Sequence, residues 1–473
     1  MPYKRACFII LCCTGWLAAC ASYRPAPISS EQTGQAIEAR SLEDPALDQF
    51  IGAALAPQNG PDAGSQPAAR TTWDLARLTL AALYYQPDFE LTRVRLESAR
   101  AAVVTAGQIP NPALSLGLDT SPITLSPTID FLIETFGKRG YRIDQAQALV
   151  DSARRDVVTG AWQVRAHVRA ALLNLWAAQQ RRELQQRRLT LQDELVQLLE
   201  RRLMEGEASS VDVTRERVNR NQFNLALRDA ERQIADAQTQ LATSIGVPVA
   251  SVEDEPLSFN AFEQPVMVRS DDLPLLRRQA LTGRSDVQAL VDQYRAAESA
   301  LQLEIANQYP NVDIGPGYTF QPGEGYQFTA AASSALPVFN QNQGPILEAE
   351  AKRRTVAGQI TSLQAQIVSG IETALADYRA TSASVATAND LNDEARTRLA
   401  QIMQQFQAGD ADRPTLVLAE IELSTTEIGS FEAGIQQRQA LAALEDALQH
   451  PLFEPDINFI PDELPLSAMG PVQ

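Results

Sequence analysis

The chain has very little cysteine and histidine. Its four cysteines all lie within the first 20 residues, and none follows Cys20. This distribution excludes disulfide bonds and thiolate metal sites from the rest of the chain. The two histidines, His167 and His450, are far apart in the sequence, so an imidazole metal centre lacks the clustered ligands that it needs. We therefore expect no metal site and no cofactor.

Catalytic motifs are missing as well. The sequence contains no Gly-x-Ser-x-Gly nucleophile elbow and no phosphate-binding glycine loop. We predict that the chain is not an enzyme and has no catalytic residues, and we expect His167 to pack between helices. The alternative is a lipoprotein enzyme of the cell envelope, and any measured catalytic turnover would support it.

Positive charge and aromatic residues are scarce too. There are 40 basic against 58 acidic residues, the net charge is −18, and aromatic residues make up only 6%. An acidic chain binds nucleic acid poorly, so we expect no nucleic-acid partner. The abundant Ala, Leu, Gln, Glu and Arg are typical of long helices and coiled coils.

The start of the chain predicts export. Lys4 and Arg5 precede an apolar stretch at 6–16, which is the pattern of a signal peptide and is too short to span a membrane as a helix. The following Leu-Ala-Ala-Cys at 17–20 resembles the lipobox of bacterial lipoproteins, which implies that Cys20 is lipidated after cleavage. Ala21 fits sorting to the outer membrane in that family. The alternative is an ordinary secretory signal with a coincidental cysteine.

The rest of the sequence contains a duplication with an offset of roughly 200 residues. Gln-Ile-Pro-Asn at 108–111, for example, reappears as Gln-Tyr-Pro-Asn at 308–311. The predicted organisation is a signal peptide (1–19), a lipidated N-terminal linker (20–73), a first repeat (74–250), a linker (251–271), a second repeat (272–451) and a C-terminal tail (452–473). Each repeat is predicted to contain a helix (Asp74 to Gly107 in the first), a β-hairpin (113–136 and 311–338) and a long helical hairpin (138–245 and 343–450).

The hairpins are predicted from alternation with a period of two. Apolar residues alternate with small or polar ones in both repeats: Leu114, Leu116, Leu118, Ile129, Phe131 and Ile133 in the first, and Val312, Ile314, Pro316, Tyr318 and Phe320 in the second. Strands of about 8–11 residues span a bilayer when tilted, and a polar second face suits a water-filled barrel. Four strands cannot close a barrel, and lipid does not tolerate open sheet edges. If these strands lie in a membrane, three chains would supply twelve strands.

The helical hairpins are predicted from a period of 3.6. Between Lys138 and Met204 there is no proline, and apolar residues recur in steps of three and four. A helix of this length is a rod of roughly 100 Å. The narrow apolar stripe favours a coiled coil or tunnel wall over a globular core.

The order of elements, the duplication and several strings resemble the TolC family of outer-membrane efflux proteins. The most telling strings are Gly-Gln-Ile-Pro-Asn-Pro at 107–112, Gly-Lys-Arg-Gly at 137–140 and Leu-Pro-Val-Phe-Asn-Gln-Asn-Gln-Gly at 336–344. They look most like the lipoprotein members that serve heavy-metal and other resistance-nodulation-division pumps. The resemblance implies a mainly α-helical fold with a trimeric 12-stranded membrane β-barrel, four strands per chain, and a long α-helical tunnel in the periplasm.

The resemblance also implies a function, partners and site residues. The trimer would be the outer-membrane exit duct of a tripartite efflux system, passively conducting metal ions or small toxic compounds, beside a periplasmic adaptor (membrane fusion protein) and an inner-membrane transporter. The two turns between the long helices would touch the adaptor through Gly206, Gly409, Met204 and Phe406. The family's gate acid matches Asp212, whereas Thr415 stands at the corresponding position of the second repeat. Asp410 and Asp412 are therefore candidate gate acids there, and Glu420 is a further one.

The competing class is a lipid-anchored periplasmic adaptor or structural protein, a coiled coil without a pore. Such adaptors usually carry one helical hairpin flanked by β-rich domains. This sequence has two equivalent repeats with strands of spanning length, which favours the duct. Pore formation distinguishes the two.

Overall fold

The computed structural model describes residue 23 and residues 25–55, 72–121, 123–263 and 272–453. The predicted signal peptide, the lipidation site Cys20 and residues 454–473 of the predicted C-terminal tail lie outside the described residues. Within these ranges the chain is mainly helical, with one small antiparallel sheet. None of the described helices is long and apolar enough to cross a membrane.

The first half of the structure contains eight described helices and two strands. In chain order they are α1 (Ser30–Glu38), α2 (Pro45–Leu55), α3 (Leu75–Tyr85), α4 (Pro87–Ala106), β1 (Ala113–Thr120), β2 (Ile123–Ile133), α5 (Lys138–Met204), α6 (Ser210–Ile245), α7 (Ala250–Glu253) and α8 (Asn260–Glu263). The second half repeats the larger elements as α9 (Leu273–Gly283), α10 (Ser285–Ala306), β3 (Val312–Gln321), β4 (Gly325–Ser333), α11 (Gln343–Ala408) and α12 (Arg413–Leu448).

Two predicted element boundaries are wrong. The helix expected from Asp74 to Gly107 is two helices, because Pro87 lacks an N–H and holds Gln86 in extended backbone with ψ 117°. Strand β2 begins at Ile123, ahead of the expected start at Thr128. Within the predicted linker 20–73, the described residues form α1 and α2, and α2 contains the apolar stretch from Leu47 to Leu55.

The long helices have the length that the sequence indicates. Helix α5 has 67 residues and α11 has 66, so each extends roughly 100 Å. Each packs against the shorter helix that follows it, α6 or α12, which has 36 residues and covers about half of its length. The stripes of small and branched residues make these contacts, and the opposite faces carry charged side chains.

The four strands form one sheet in the order β1-β2-β3-β4, with every neighbouring pair antiparallel. The pairing of β2 with β3 joins the hairpin of one repeat to that of the other, in a register that sets Phe131 opposite Ile314. Gly317 allows this close approach, because a Cβ there would meet the carbonyl oxygen of Pro127 at 2.6 Å. The outer edges of β1 and β4 have no partner strand within the described chain.

The main core lies midway along the long helices. Helices α3, α4, α5 and α6 and the end of α12 meet there, and α2 covers them from outside. Its largest apolar side chains include Phe50, Phe89, Phe262 and Phe453. We call this region the equator. It fixes the spacing between the sheet at one end of the rods and the helix turns at the other.

A buried charge cluster crosses the equator between the repeats. Glu445 of α12 is 0% exposed, and Arg165 and Arg169 of α5 are each 1% exposed. Both guanidiniums donate to Oε1 of Glu445, and the N–H groups of Leu452 and Phe453 donate to Oε2 at 2.8 Å. Arg165 also donates to the Phe453 carbonyl at 2.7 Å. The cluster therefore ties α5 to α12 and to the chain that follows α12.

The duplication does not copy this cluster. Helices α6 and α12 end at Ile245 and Leu448, so Ala242 is the counterpart of Glu445. Ala242 is buried in the apolar core, and the second repeat packs α11 on α12 through Ile367 and Ile371. The buried ions are thus specific to the contact of the first repeat with the second.

Replacing Glu445 tests this cluster. Glu445→Gln removes the buried carboxylate that Arg165 and Arg169 share, although Arg169 keeps its contact with Asp446. Breaking a buried ion pair in this way typically costs about 3–5 kcal/mol. We expect a loss of this size in the free energy of unfolding, measured by denaturant titration. The matched control is Glu432→Gln, which breaks a partly exposed ion pair with Arg181 and should cost about 1 kcal/mol or less. Equal losses for both variants would contradict the assignment.

Candidate functional site

One face of the sheet is polar and carries only negative charge. Paired residues of antiparallel strands share a face, so the register places these side chains together: Ser115, Asp119, Thr124, Ser126, Thr128, Asp130, Asp313, Thr319, Gln321, Gln327 and Thr329. Ser115 donates to Asp130 at 2.6 Å, and the hydroxyls of Ser126 and Thr319 are 3.1 Å apart. The four strands contain no lysine or arginine. This face is therefore hydrophilic and acidic.

The other face is apolar and exposed. It presents large hydrophobic side chains from all four strands: Leu114, Leu116, Leu118, Ile123, Leu125, Ile129, Phe131, Ile133, Ile314, Tyr318, Phe320, Tyr326 and Phe328. Soluble monomers rarely expose a continuous apolar surface of this kind. Together with the unpaired edges of β1 and β4, it indicates that this sheet is built for an apolar environment and further strands.

The passage from strand to long helix is tightly fixed. Phe136 and Gly137 have φ +55° and +74°, so the backbone turns through the left-handed region before α5 begins. The phenyl ring of Phe136 stacks on Tyr309 at 4.0 Å between centroids. Buried Lys138 donates to the Tyr309 carbonyl at 2.5 Å and to Asn311 at 2.7 Å, and burial lowers the pKa of its ammonium. The first repeat is thereby locked to the start of the second hairpin.

The first turn between long helices lies at the far end of the rods. Gly206 has φ +77°, which permits the reversal, and the preceding Met204 side chain is 80% exposed. Ser209 caps α6 by accepting from the N–H of Val211 at 3.1 Å. Asp212 lies in the first turn of α6, half exposed and 3.7 Å from Arg215.

The second turn has a different construction. Gly409 has φ +85°, Phe406 is partly exposed, and Asp412 caps α12. Asp412 accepts from the hydroxyl and the N–H of Thr415 at 2.5 and 2.9 Å, and it pairs with Arg202 of α5 at 2.8 Å. These hydrogen bonds from Thr415, followed by the Arg202 guanidinium, lower the pKa of Asp412 to about 2.

Sequence reasoning missed the ion pairs that join the two turns. Arg413 reaches back to Glu194 of α5 at 2.7 Å and lies 3.6 Å from Glu420. With the Arg202–Asp412 pair, they bind the second turn to the first hairpin. Of the predicted gate acids, Asp212 pairs locally with Arg215 and Asp412 pairs with Arg202 within one chain. No motif signals these pairs, because the partners are distant in sequence.

Two expectations about histidine and metal sites can be compared with the structure. His167 does not pack between helices, because α5 turns it to the exposed side. Among the described residues, no group of three or more His, Cys, Asp or Glu side chains could hold a metal ion.

Part of the chain is similar in sequence to known export proteins. Residues 78–247 match a family model described as outer membrane efflux protein. The cobalt-zinc-cadmium resistance protein CzcC of Cupriavidus metallidurans is 26% identical over 259 residues, which cover 54% of this chain and 60% of CzcC. The pyoverdine export outer membrane protein OpmQ of Pseudomonas putida is 24% identical over 350 residues, which cover 69% of this chain and 72% of OpmQ. The chain thus aligns with less than two thirds of CzcC.

Solved structures share the fold. The outer membrane protein VceC of Vibrio cholerae has a TM-score of 0.64 at 19% identity and covers 79% of this chain and 95% of its own. The outer-membrane channel OprN has a TM-score of 0.65 at 16% identity, with coverages of 91% and 99%. CusC has a TM-score of 0.62 at 15% identity, with coverages of 82% and 95%. The predicted TolC-like fold class is confirmed.

The cap that Asp412 forms at the second turn can be tested by substitution. Asp412→Ala removes the cap of α12, which costs about 1 kcal/mol, while the exposed pair with Arg202 adds little. We expect amide exchange at Thr415 and Leu416 to become about five-fold faster. Because the folded pKa is lowered, this stabilisation is present above about pH 4 and is lost as the pH falls toward 2. Asp410→Ala, outside the cap, is the control and should leave this exchange unchanged.

Proposed function

We propose that the protein is the exit duct of a tripartite efflux system, because residues 78–247 match the outer membrane efflux protein model and the described chain has the fold of solved outer-membrane channels. Three copies form one duct. Their twelve strands close a β-barrel, and their long helices form a tunnel that continues it into the periplasm.

The two-faced sheet with open edges carries this proposal. In hydrocarbon every backbone N–H and C=O must be satisfied within the protein, so β1 and β4 need partners from neighbouring copies. Closing three four-stranded sheets satisfies both edges, turns the apolar faces to lipid and turns the acidic faces to a water-filled interior. A soluble coiled-coil adaptor does not need a sheet with one apolar face and open edges.

The proposed cargo and partners are inferred from the similar proteins and not from a binding site in this structure. One relative is named for cobalt, zinc and cadmium resistance and another for pyoverdine export, so the likeness does not fix one cargo. We propose passive conduction of metal ions or small toxic compounds, delivered by an inner-membrane transporter through a periplasmic adaptor. The protein lies in the outer membrane, with Cys20 as a second, lipid anchor.

The helix turns are the proposed periplasmic end of the duct. Exposed Met204 and partly exposed Phe406, beside the reversals at Gly206 and Gly409, offer apolar contacts to the adaptor. Asp212 and Asp410 are the proposed gate acids. Asp412 also belongs to the gate, and its pair with Arg202 holds the second turn against the first hairpin, so opening must break or carry along this pair.

Single-channel recording tests the duct. The purified protein, reconstituted in a planar bilayer, should give discrete conductance steps, and native mass measurement should give a trimer. Asp412→Ala serves as the opened control, so that a closed gate in the unaltered protein is not mistaken for a missing pore. A monomer or dimer that is silent in both forms contradicts the duct and favours the lipid-anchored coiled coil without a pore.

The acidic sheet face predicts the charge preference of the pore. A lumen lined by Asp119, Asp130 and Asp313 from each copy, without a basic residue on the strands, attracts cations. The double variant Asp130→Asn, Asp313→Asn should shift the reversal potential in a KCl gradient toward zero. Asp254→Asn, outside the sheet, is the control. An unchanged reversal potential in the double variant would show that selectivity arises elsewhere.

A further inference from the structure

The second hairpin is followed by an exposed apolar connector. We call residues 134–137, between β2 and α5, the first connector, and residues 334–342, between β4 and α11, the second connector. In the second connector Leu336, Val338 and Phe339 are 82%, 69% and 99% exposed. Phe339 thus makes almost no contact with the part of the chain that the structure describes. Exposed apolar clusters of this kind mark contact surfaces.

The strand register shows which residues of the two hairpins correspond. The repeated Gln-x-Pro-Asn strings precede β1 and β3 at an offset of 200 residues, so Ala113 corresponds to Asp313. Ala113 pairs with Asp130, and Asp313 pairs with Ser333. Strands β2 and β4 therefore correspond at an offset of 203, the difference between positions 130 and 333. Continued into the connectors, this offset makes Phe339 the counterpart of Phe136.

The backbone supports this correspondence. Gly137 and Asn342, which directly precede α5 and α11, both have left-handed backbone, with φ +74° and +62°. The second connector contains two more residues than the offset allows, because α11 begins at Gln343 and not at position 341. Aligning the two phenylalanines places these two residues after Phe339, so they leave its distance from β4 unchanged.

Phe136, unlike Phe339, has an aromatic partner. Its ring stacks on Tyr309, with the centroids 4.0 Å apart. Tyr309 belongs to residues 307–311, which lead from α10 into β3. We call this stretch, and its equivalent 107–111 between α4 and β1, the strand-entry segments. The first connector therefore packs on the strand-entry segment of the other repeat, beside the β2–β3 pair.

The equivalent partner for Phe339 lies at the far edge of the sheet. Ile109 occupies in the first strand-entry segment the position that Tyr309 occupies in the second. Because β1 and β4 are the two edge strands, Ile109 and Phe339 of one chain lie at opposite edges. Ile109 is 65% exposed, and nearby Val104 of α4 is 69% exposed. Both halves of the contact are therefore open in the single chain.

We propose that Phe339 of each copy packs on Ile109 of the next copy, so that the second connector docks on the neighbouring strand-entry segment. This inference rests on the proposed function, in which β4 of one copy pairs with β1 of the next. That pairing brings the two exposed segments together, because the β2–β3 pairing brings their equivalents together within one chain. Each copy supplies one aromatic side chain and receives another.

The contact between copies differs in charge from the contact within a chain. Within the chain, the ammonium of Lys138 donates to the Tyr309 carbonyl and to Asn311. The same offset of 203 places Gln341, an exposed neutral amide, at the position of Lys138. The contact between copies therefore depends on apolar side chains, and assembly has no connector charge to desolvate.

Disulfide trapping in the full chain tests the contact. In the double variant Ile109→Cys, Phe339→Cys, oxidation with copper phenanthroline should link neighbouring copies, giving a trimer band on a denaturing gel that reduction abolishes. The matched pair Phe136→Cys, Tyr309→Cys should lose its free thiols but remain a single chain on the gel. The pair Leu91→Cys, Phe339→Cys controls for chance collisions, because exposed Leu91 lies 15 residues before the end of α4, or about 22 Å.

A second measurement asks how far this contact holds the trimer together. Phe339→Ala should make the trimer dissociate in denaturing detergent about ten-fold faster or more, because burying an aromatic side chain contributes at least the free energy of a ten-fold change. Phe339→Leu keeps an apolar side chain and should retain most of the resistance. Leu91→Ala removes an exposed apolar side chain elsewhere and should leave the dissociation rate unchanged.

Native mass measurement on the same samples separates this proposal from the duct. A trimer in which the Ile109→Cys, Phe339→Cys pair fails to cross-link, while the Phe136→Cys, Tyr309→Cys pair closes, would overturn the docking contact and leave the duct intact. Phe339 would then face lipid. A chain that is no trimer by native mass would overturn both proposals.

Discussion

The buried carboxylate of Glu445 is the constraint on which the middle of the molecule depends. A carboxylate with no exposed surface is costly unless it is paired and fully hydrogen-bonded, and here two guanidiniums and two backbone N–H groups satisfy it. These partners come from α5 and from the chain after α12. The two repeats, which are similar in sequence and could have packed independently, are therefore held in one relative position at the equator.

A second fixed point lies at the sheet, and together the two points make the repeats act as one wall. The β2–β3 pairing and the contacts of Lys138 join the repeats where strands pass into helices. The left-handed residues there absorb the change from a two-residue to a 3.6-residue period. A wall that is rigid at both levels suits the proposed passive duct, whose shape would have to persist while transport is driven elsewhere.

The helix turns are held more weakly than either fixed point. Their ion pairs are partly exposed, and each is worth little in water. This part of the wall is therefore the one that a partner can move at low energetic cost. The segment 40–55 has the opposite character, because it buries apolar side chains and Arg40 donates hydrogen bonds to the Tyr85 and Gly246 carbonyls at two helix ends.

What the sequence determined by itself was set by local periodicity. The period of two predicted the strands and their faces, and the period of 3.6 predicted the rod from Lys138 to Met204, because these patterns depend only on neighbouring residues. The break at Gln86 was not predicted, although Pro87 marks it in the sequence. Tertiary structure alone decided the partners of Arg40, Arg165, Arg169 and Arg202. The sequence does not show whether a charged side chain is solvated or buried. The carboxylate or carbonyl that it contacts lies on a segment far away along the chain.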